Sequence, residues 1–143
     1  MHGKRCIASG IGDQIQDAQN LDQLHALFVN LKKPLATKCV FDRYRHNAKG
    51  FFKKSDLAAV STLSINKLLA LDNDLEHHAV KIMPEIYDIL PLISIQKGCK
   101  IAKMSGSGAT CFGIFNNKEE AKSAELKIKK QNPEYFVKYS FIS

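Results

Sequence analysis

Apolar residues along the chain recur at two spacings, every third or fourth position in its middle and in short unbroken runs towards its end. In the middle, Leu75, Ala79, Ile82, Ile86, Ile89 and Ile93 mark the buried face of a helix. Pro84 falls inside this pattern and either kinks one long helix or begins a second, since proline is tolerated at a first helical position. Asn73, with Glu76 three residues on, predicts the start as an asparagine-based capping box, with Asn73 as a structural cap. The last 45 residues predict a strand over Cys99–Met104, a glycine loop over Ser105–Gly108 and a strand over Ala109–Phe115. A helix follows over Lys118–Lys130, capped by a second pair, Asn117 and Glu120. Glu119 and Glu120 open that helix and Lys127, Lys129 and Lys130 close it, which suits its dipole. Asn132-Pro133 ends it, and Tyr135–Ile142 returns as a strand.

The first 35 residues read as short strands and turns, with apolar stretches at Cys6–Ala8 and Ile11–Ile15 around Gly10 and Gly12. His25–Leu31 is a compact β-type run ended by Pro34. Thr37 is placed to cap a helix over Lys38–Arg45, its hydroxyl accepting a backbone N–H of the first turn. Arg45–Ser55 reads as a long basic loop tethered by Phe51 and Phe52. The order β-loop-β-α-β predicts an α+β domain, an antiparallel sheet covered by helices, formed by residues 1–143 as one unit.

Composition narrows the function. The 143 residues are 45% hydrophobic, enough for a core, and no stretch approaches a membrane span. The amino terminus lacks the apolar segment of a secretory signal, so a cytoplasmic protein is expected. A net charge of +7 invites a nucleic-acid reading, but of the 21 basic residues only Arg5, Arg43 and Arg45 are arginine. The remainder are dispersed lysines, which lack the paired donors suited to bases and phosphates. No nucleic-acid or membrane partner is expected. The cysteines at 6, 39, 99 and 111 form no C-x-x-C pair, which argues against zinc, and Cys99 and Cys111 read as buried apolar residues. His77-His78 is a poor metal pair, since neighbours on a helix point about 100° apart.

The chemistry concentrates in Ser105, Gly106, Ser107 and Gly108. Two glycines allow a tight turn and let backbone amides approach a ligand, and the serines add hydroxyls. The residues alone leave two readings open, an anion-binding nest and a plain hairpin connection. The loop is neither a Walker A nor a Rossmann fingerprint.

The segment KMSGSGATCFGIF, Lys103–Phe115, resembles the third signature motif of the galactokinase, homoserine kinase, mevalonate kinase and phosphomevalonate kinase superfamily. Within it the chain is most similar to the diphosphocytidyl-methylerythritol kinases. HGKRCIASGIGDQI (residues 2–15), the T-x-x-x-F of Thr37–Phe41 and NDLEHHAVKIMPEI (residues 73–86) resemble the same family in the same order. The resemblance implies transfer of the γ-phosphoryl of ATP, with Mg²⁺, to the 2-hydroxyl of a cytidyl-methylerythritol substrate in isoprenoid precursor synthesis. It gives Phe41 the role of stacking on cytosine, a task suited to an exposed aromatic face. Thr37 would line that pocket, beside its reading as a cap. The backbone at Ile11 would face the cytosine edge, and Ser105–Gly108 would close over the substrate and phosphate region.

The family's glycine- and serine-rich ATP cradle, its amino-terminal lysine and the aspartate of its G-A-D-V-P string have no counterpart in these residues. Residues 1–15 resemble the tail of an amino-terminal half. The expectation is a carboxy-terminal kinase portion that binds neither ATP nor Mg²⁺ tightly and works with a separate amino-terminal half. The alternative is a non-catalytic remnant or ligand-binding module of the same fold.

Overall fold

A computed structural model of the chain describes residues 6–9, 14–17, 23–47 and 71–142, which fall into two compact units. One contains a two-stranded antiparallel ribbon, β1 (Cys6–Ser9) against β2 (Gln14–Asp17), with Cys6 opposite Asp17 and Ser9 opposite Gln14.

The other unit contains four strands, β3 (Leu24–Asn30), β4 (Cys99–Met104), β5 (Cys111–Phe115) and β6 (Phe136–Ile142). Its described helices are α1 (Thr37–Asn47), α2 (Glu76–Ile82), α3 (Ile86–Ser94) and α4 (Lys118–Gln131). The sheet order is β4-β5-β3-β6, antiparallel throughout. This is the α+β architecture expected from the sequence.

Register puts Val29 opposite Cys111 on one side and Val137 on the other, with Met104 opposite Cys111. Directly opposed residues share a face, so these four, with Leu27, line the side on which the helices pack. All five are essentially buried. Ile86, Ile89 and Ile93 of α3 and Ala121, Ala124 and Ile128 of α4 close the same core. The helical spacing read from the sequence therefore marks the true buried face from Ala79 onward, with one exception. Ile82 is 40% exposed, because α2 ends there and the chain turns at Met83 and Pro84 before α3 begins.

Pro84 thus separates two helices rather than kinking one. The turn is closed by Ile86 N–H to Met83 O at 3.1 Å and Tyr87 N–H to Pro84 O at 2.9 Å. Other boundaries moved by small amounts. The strand expected from Ala109 starts at Cys111, because Thr110 O is used to close the preceding loop. Helix α1 runs through Asn47, so Arg45–Asn47 are helical rather than loop. Residues 48–55 of the expected loop, Phe51 and Phe52 included, lie outside the described residues. Asn117 caps α4 as expected, its Oδ1 accepting Glu120 N–H at 2.9 Å. The reciprocal half of that box is absent, since the Glu120 carboxylate accepts from Asn116 Nδ2 at 3.1 Å.

Helix α3 lies close to the sheet because β5 has no side chain at Gly113. A methyl placed there would overlap Cγ2 of Ile93 and approach the Phe115 ring at 3.1 Å. Both neighbours are buried core side chains with no room to withdraw. Gly113→Ala is expected to destabilise the domain by about 1–3 kcal/mol, the usual cost of overpacking a core. Urea unfolding should show a lower midpoint at unchanged slope, and an unchanged midpoint would mean that α3 can move off the sheet freely.

Candidate functional site

The loop between β4 and β5 is shaped by its glycines and by hydrogen bonds at its base. Gly106 and Gly108 have φ of 54° and 85°, in the left-handed region that side chains disfavour. Ser105 N–H donates to Thr110 O at 2.8 Å and Gly108 N–H to Ser105 O at 3.0 Å. Two of the loop's amides are therefore spent internally. No hydrogen bond within the described residues engages the N–H of Gly106 or Ser107. A nest of successive amides is thus reduced to these two, with the serine hydroxyls beside them.

The two glycines differ in their surroundings. A methyl on Gly106 would meet nothing within 4 Å, whereas one on Gly108 would lie 2.9 Å from Met104 Sδ and 3.0 Å from Leu35 Cδ2. Gly108 is the floor of the loop against the core, and Gly106 is its open crest.

Three segments distant in sequence converge on this loop. From α1, the Thr37 hydroxyl lies 3.0 Å from that of Ser107. Thr37 is the first helical residue, and Ala36 O accepts the first N–H groups, from Cys39 at 2.9 Å and Val40 at 3.4 Å. Its expected role as N-cap is corrected, because Ala36 occupies that position and the Thr37 hydroxyl faces Ser107. Phe41, one turn later on the same helix face, is 39% exposed and offers a ring surface. From β3, Asn30 Nδ2 donates to Thr110 Oγ1 at 2.8 Å, and its Oδ1 accepts Lys32 N–H at 2.6 Å. The connection holding Leu35 is pinned further by an exposed Lys33–Glu85 ion pair at 2.7 Å. The hydrogen bond and charge of each partner raise the pKa of Lys33 and lower that of Glu85.

From the segment before α2, Asn73 Nδ2 donates to Met104 O at 3.0 Å and to Gly106 O at 2.9 Å. Asn73 Oδ1 accepts Leu75 N–H at 3.0 Å, so part of the capping role read from sequence is present. The helix itself begins later, with Leu75 in the cap position. Glu76 does not fold back to complete a capping box; its Oε2 accepts Met104 N–H at 3.3 Å. Sequence reasoning assigned this pair to its own helix, whereas it reaches across to β4 and the loop. The signal was equivocal, because a side chain that caps can equally donate elsewhere. Asn30 was missed altogether, hidden at the end of an apolar run.

Of the expected site residues, Thr37 meets the loop of Ser105, Gly106, Ser107 and Gly108 through Ser107, with Phe41 one helical turn along. Ile11 lies outside the described residues. Burial, helped by the nearby Glu76 charge, pushes the Cys111 thiol up to about 12, so Cys111 is no nucleophile. Burial also raises the pKa of Cys99, which is half-buried rather than buried. His77 and His78 meet edge to face with ring centroids 5.5 Å apart. Burial lowers the pKa of His78, whose Nδ1 has no partner among the described residues.

A model of the family described as GHMP kinases C terminal matches residues 54–134. The chain belongs to the GHMP kinase C-terminal family. Among curated relatives, the 4-diphosphocytidyl-2-C-methyl-D-erythritol kinase of Chelativorans sp. (strain BNC1) is 38% identical over 138 residues. The match covers 96% of this chain and 47% of the relative. The enzyme of the same name from Wolbachia sp. subsp. Brugia malayi (strain TRS) is 39% identical over 107 residues, covering 74% and 36%. This GHMP kinase C-terminal chain therefore spans about half the length of the curated relatives it matches. Among solved structures, that of 4-(cytidine 5'-diphospho)-2C-methyl-D-erythritol kinase superposes with a TM-score of 0.73 at 19% identity, over 99% of this chain and 51% of the other. Mevalonate kinase from L. major, in complex with R-mevalonate, gives 0.62 at 13%, over 91% and 45%. At these identities the structural matches speak for the fold.

The contrast between the two loop glycines is testable. Gly106→Ala should cost about 1 kcal/mol, the conformational penalty of a left-handed residue with free space around it. Gly108→Ala should cost that and a further roughly 1–3 kcal/mol from pressing on Met104 and Leu35. Urea midpoints of the two variants decide the order, and a more damaging Gly106→Ala would contradict this packing.

Proposed function

We propose that this chain is the substrate-holding half of an ATP-dependent kinase for the 2-hydroxyl of 4-diphosphocytidyl-2-C-methyl-D-erythritol, a step towards isoprenoid precursors in the cytoplasm. The observation that carries the proposal is the meeting of the Thr37 and Ser107 hydroxyls at 3.0 Å, with Phe41 exposed one helical turn beyond Thr37. An exposed ring one helical turn from a pair of hydroxyls, in a site that also offers two uncommitted loop amides, is suited to a ligand that joins a base to a diphosphate. The ring supplies a stacking surface for cytosine. The amides of Gly106 and Ser107 supply donors to anionic oxygen, without a side chain intervening at Gly106. The Thr37 and Ser107 hydroxyls, already hydrogen-bonded to each other, can turn towards the ligand as a pair.

Phosphoryl transfer also needs a cradle for the triphosphate and stabilisation of charge in the transition state. Among the described residues no three of His, Cys, Asp and Glu lie close enough together to hold a metal ion. On this reading the residues of this chain bind and orient the acceptor substrate, and the ATP site belongs to an amino-terminal half.

Two measurements test the assignment. Assayed alone with ATP, Mg²⁺ and the cytidyl substrate, the chain should show no turnover, and joining it to a relative's amino-terminal half should restore turnover. Turnover by the chain alone would contradict the division of labour. A joined protein that folds but stays inactive would favour a non-catalytic ligand-binding module. In isothermal titration, cytidine diphosphate should bind the chain more tightly than ATP. Phe41→Ala should weaken that binding by about 1–3 kcal/mol, the value of one base–aromatic stack. Tighter binding of ATP would contradict the proposal.

A further inference from the structure

Asn73 stands outside the glycine loop, 31 residues before Met104 and 33 before Gly106, yet it holds the backbone on both sides of Ser105. Its planar amide uses both N–H donors on the carbonyls of Met104 and Gly106, and its oxygen on Leu75 N–H. The reverse amide orientation would set oxygen against two carbonyls and NH₂ against an N–H, so the network fixes the assignment. Glu76 takes the N–H of Met104, so both backbone polar groups of that residue are held from the α2 side.

The consequence lies in peptide geometry. In a trans peptide the carbonyl of one residue and the N–H of the next point in opposite directions. Holding Gly106 C=O towards Asn73 therefore turns Ser107 N–H away from it, towards the open side of the loop. Holding Met104 C=O in the same way turns Ser105 N–H towards Thr110 O, where it is found at 2.8 Å. Gly106 offers no resistance of its own, since nothing surrounds its Cα on the open side. Among the described residues, the bond from Asn73 Nδ2 to Gly106 O is the only hydrogen bond made to this peptide plane.

We infer that Asn73 is a positioning residue, which sets the plane of the Gly106–Ser107 peptide so that the Ser107 N–H faces the ligand. The inference rests on the proposed function for its ligand, and on the hydrogen bonds alone for the anchoring. It assigns Asn73 a role beyond starting α2, and makes Glu76 its companion.

The test uses the 143-residue chain, isotopically labelled, with Asn73→Asp as the main variant. The new carboxylate keeps an acceptor for Leu75 N–H, loses both donors and faces two carbonyl oxygens. Exchange of the Ser105 and Gly108 amides should become about tenfold faster, the effect of losing roughly one hydrogen bond on local opening. The Leu27, Val29 and Cys111 amides in the sheet should stay within about threefold, since their opening reports the whole domain. The Ser107 amide resonance should move, and cytidine diphosphate, followed at that resonance, should bind about tenfold more weakly. Should Asn73→Asp fail to fold, Asn73→Ser, whose hydroxyl can serve Leu75 but cannot span both carbonyls, carries the same expectations. Glu76→Gln retains an oxygen for Met104 N–H and should leave the loop as it is. Loop and sheet amides accelerating together, or a loop that does not respond, would overturn the anchoring. If cytidine diphosphate never perturbs Ser107 in the unsubstituted chain, the ligand reading fails, while the exchange data still decide the anchor.

Discussion

The geometry of the candidate site depends on one side-chain amide, that of Asn73, bridging the carbonyls of Met104 and Gly106. A glycine loop is useful to a ligand because its backbone is bare, and for the same reason it does not hold a shape by itself. Here the shape is imposed from outside. Asn73 and Glu76 hold the side leaving β4, Asn30 holds Thr110 where the chain enters β5, and the core beneath Gly108 sets the floor. The loop's own bonds, from Ser105 N–H and Gly108 N–H, then close it.

This arrangement explains why the rest of the fold is needed. The antiparallel order β4-β5-β3-β6 brings the end of β3 beside the start of β5, so that Asn30 meets Thr110. The absence of a side chain at Gly113 lets α3 settle against the sheet. Ile86, at the start of α3, then lies under the loop, 3.4 Å from where a methyl on Gly108 would stand. Thr37, at the start of α1, faces Ser107 because the connection from β3 is short and pinned by Leu35 and Lys33. Local backbone geometry, core packing and the hydroxyl pair are linked through contacts between elements far apart in sequence.

Much of the fold was legible from periodicity. Strands and helices from Asn73 onward fell within a few residues of their expected places, because apolar spacing and turn residues agree there. What sequence could not settle was the destination of polar side chains. Asn73 and Glu76 carry the pattern of a capping box, and the pattern says nothing of β4 lying within reach. Thr37 was read as a cap because threonine before a helix commonly is one, whereas Ala36 takes that position and leaves the hydroxyl for Ser107. Asn117 shows the same ambiguity resolved the other way, since no competing partner approaches it and it caps α4. Family resemblance implies a role for Phe41 and a ligand-facing role for the loop, which spacing alone leaves undecided between a ligand site and a turn.

On the proposed function, the ring of Phe41 and the crest of the glycine loop grip the two ends of one cytidine diphosphate ligand. The most direct test is nuclear Overhauser mapping of cytidine diphosphate bound to the isotopically labelled chain. Contacts are expected from the cytosine protons to the Phe41 ring, with the amide resonances of Gly106 and Ser107 shifting along the same saturation curve. Cytosine contacts on another face of the domain, or loop amides that stay still while the ligand saturates, would contradict it.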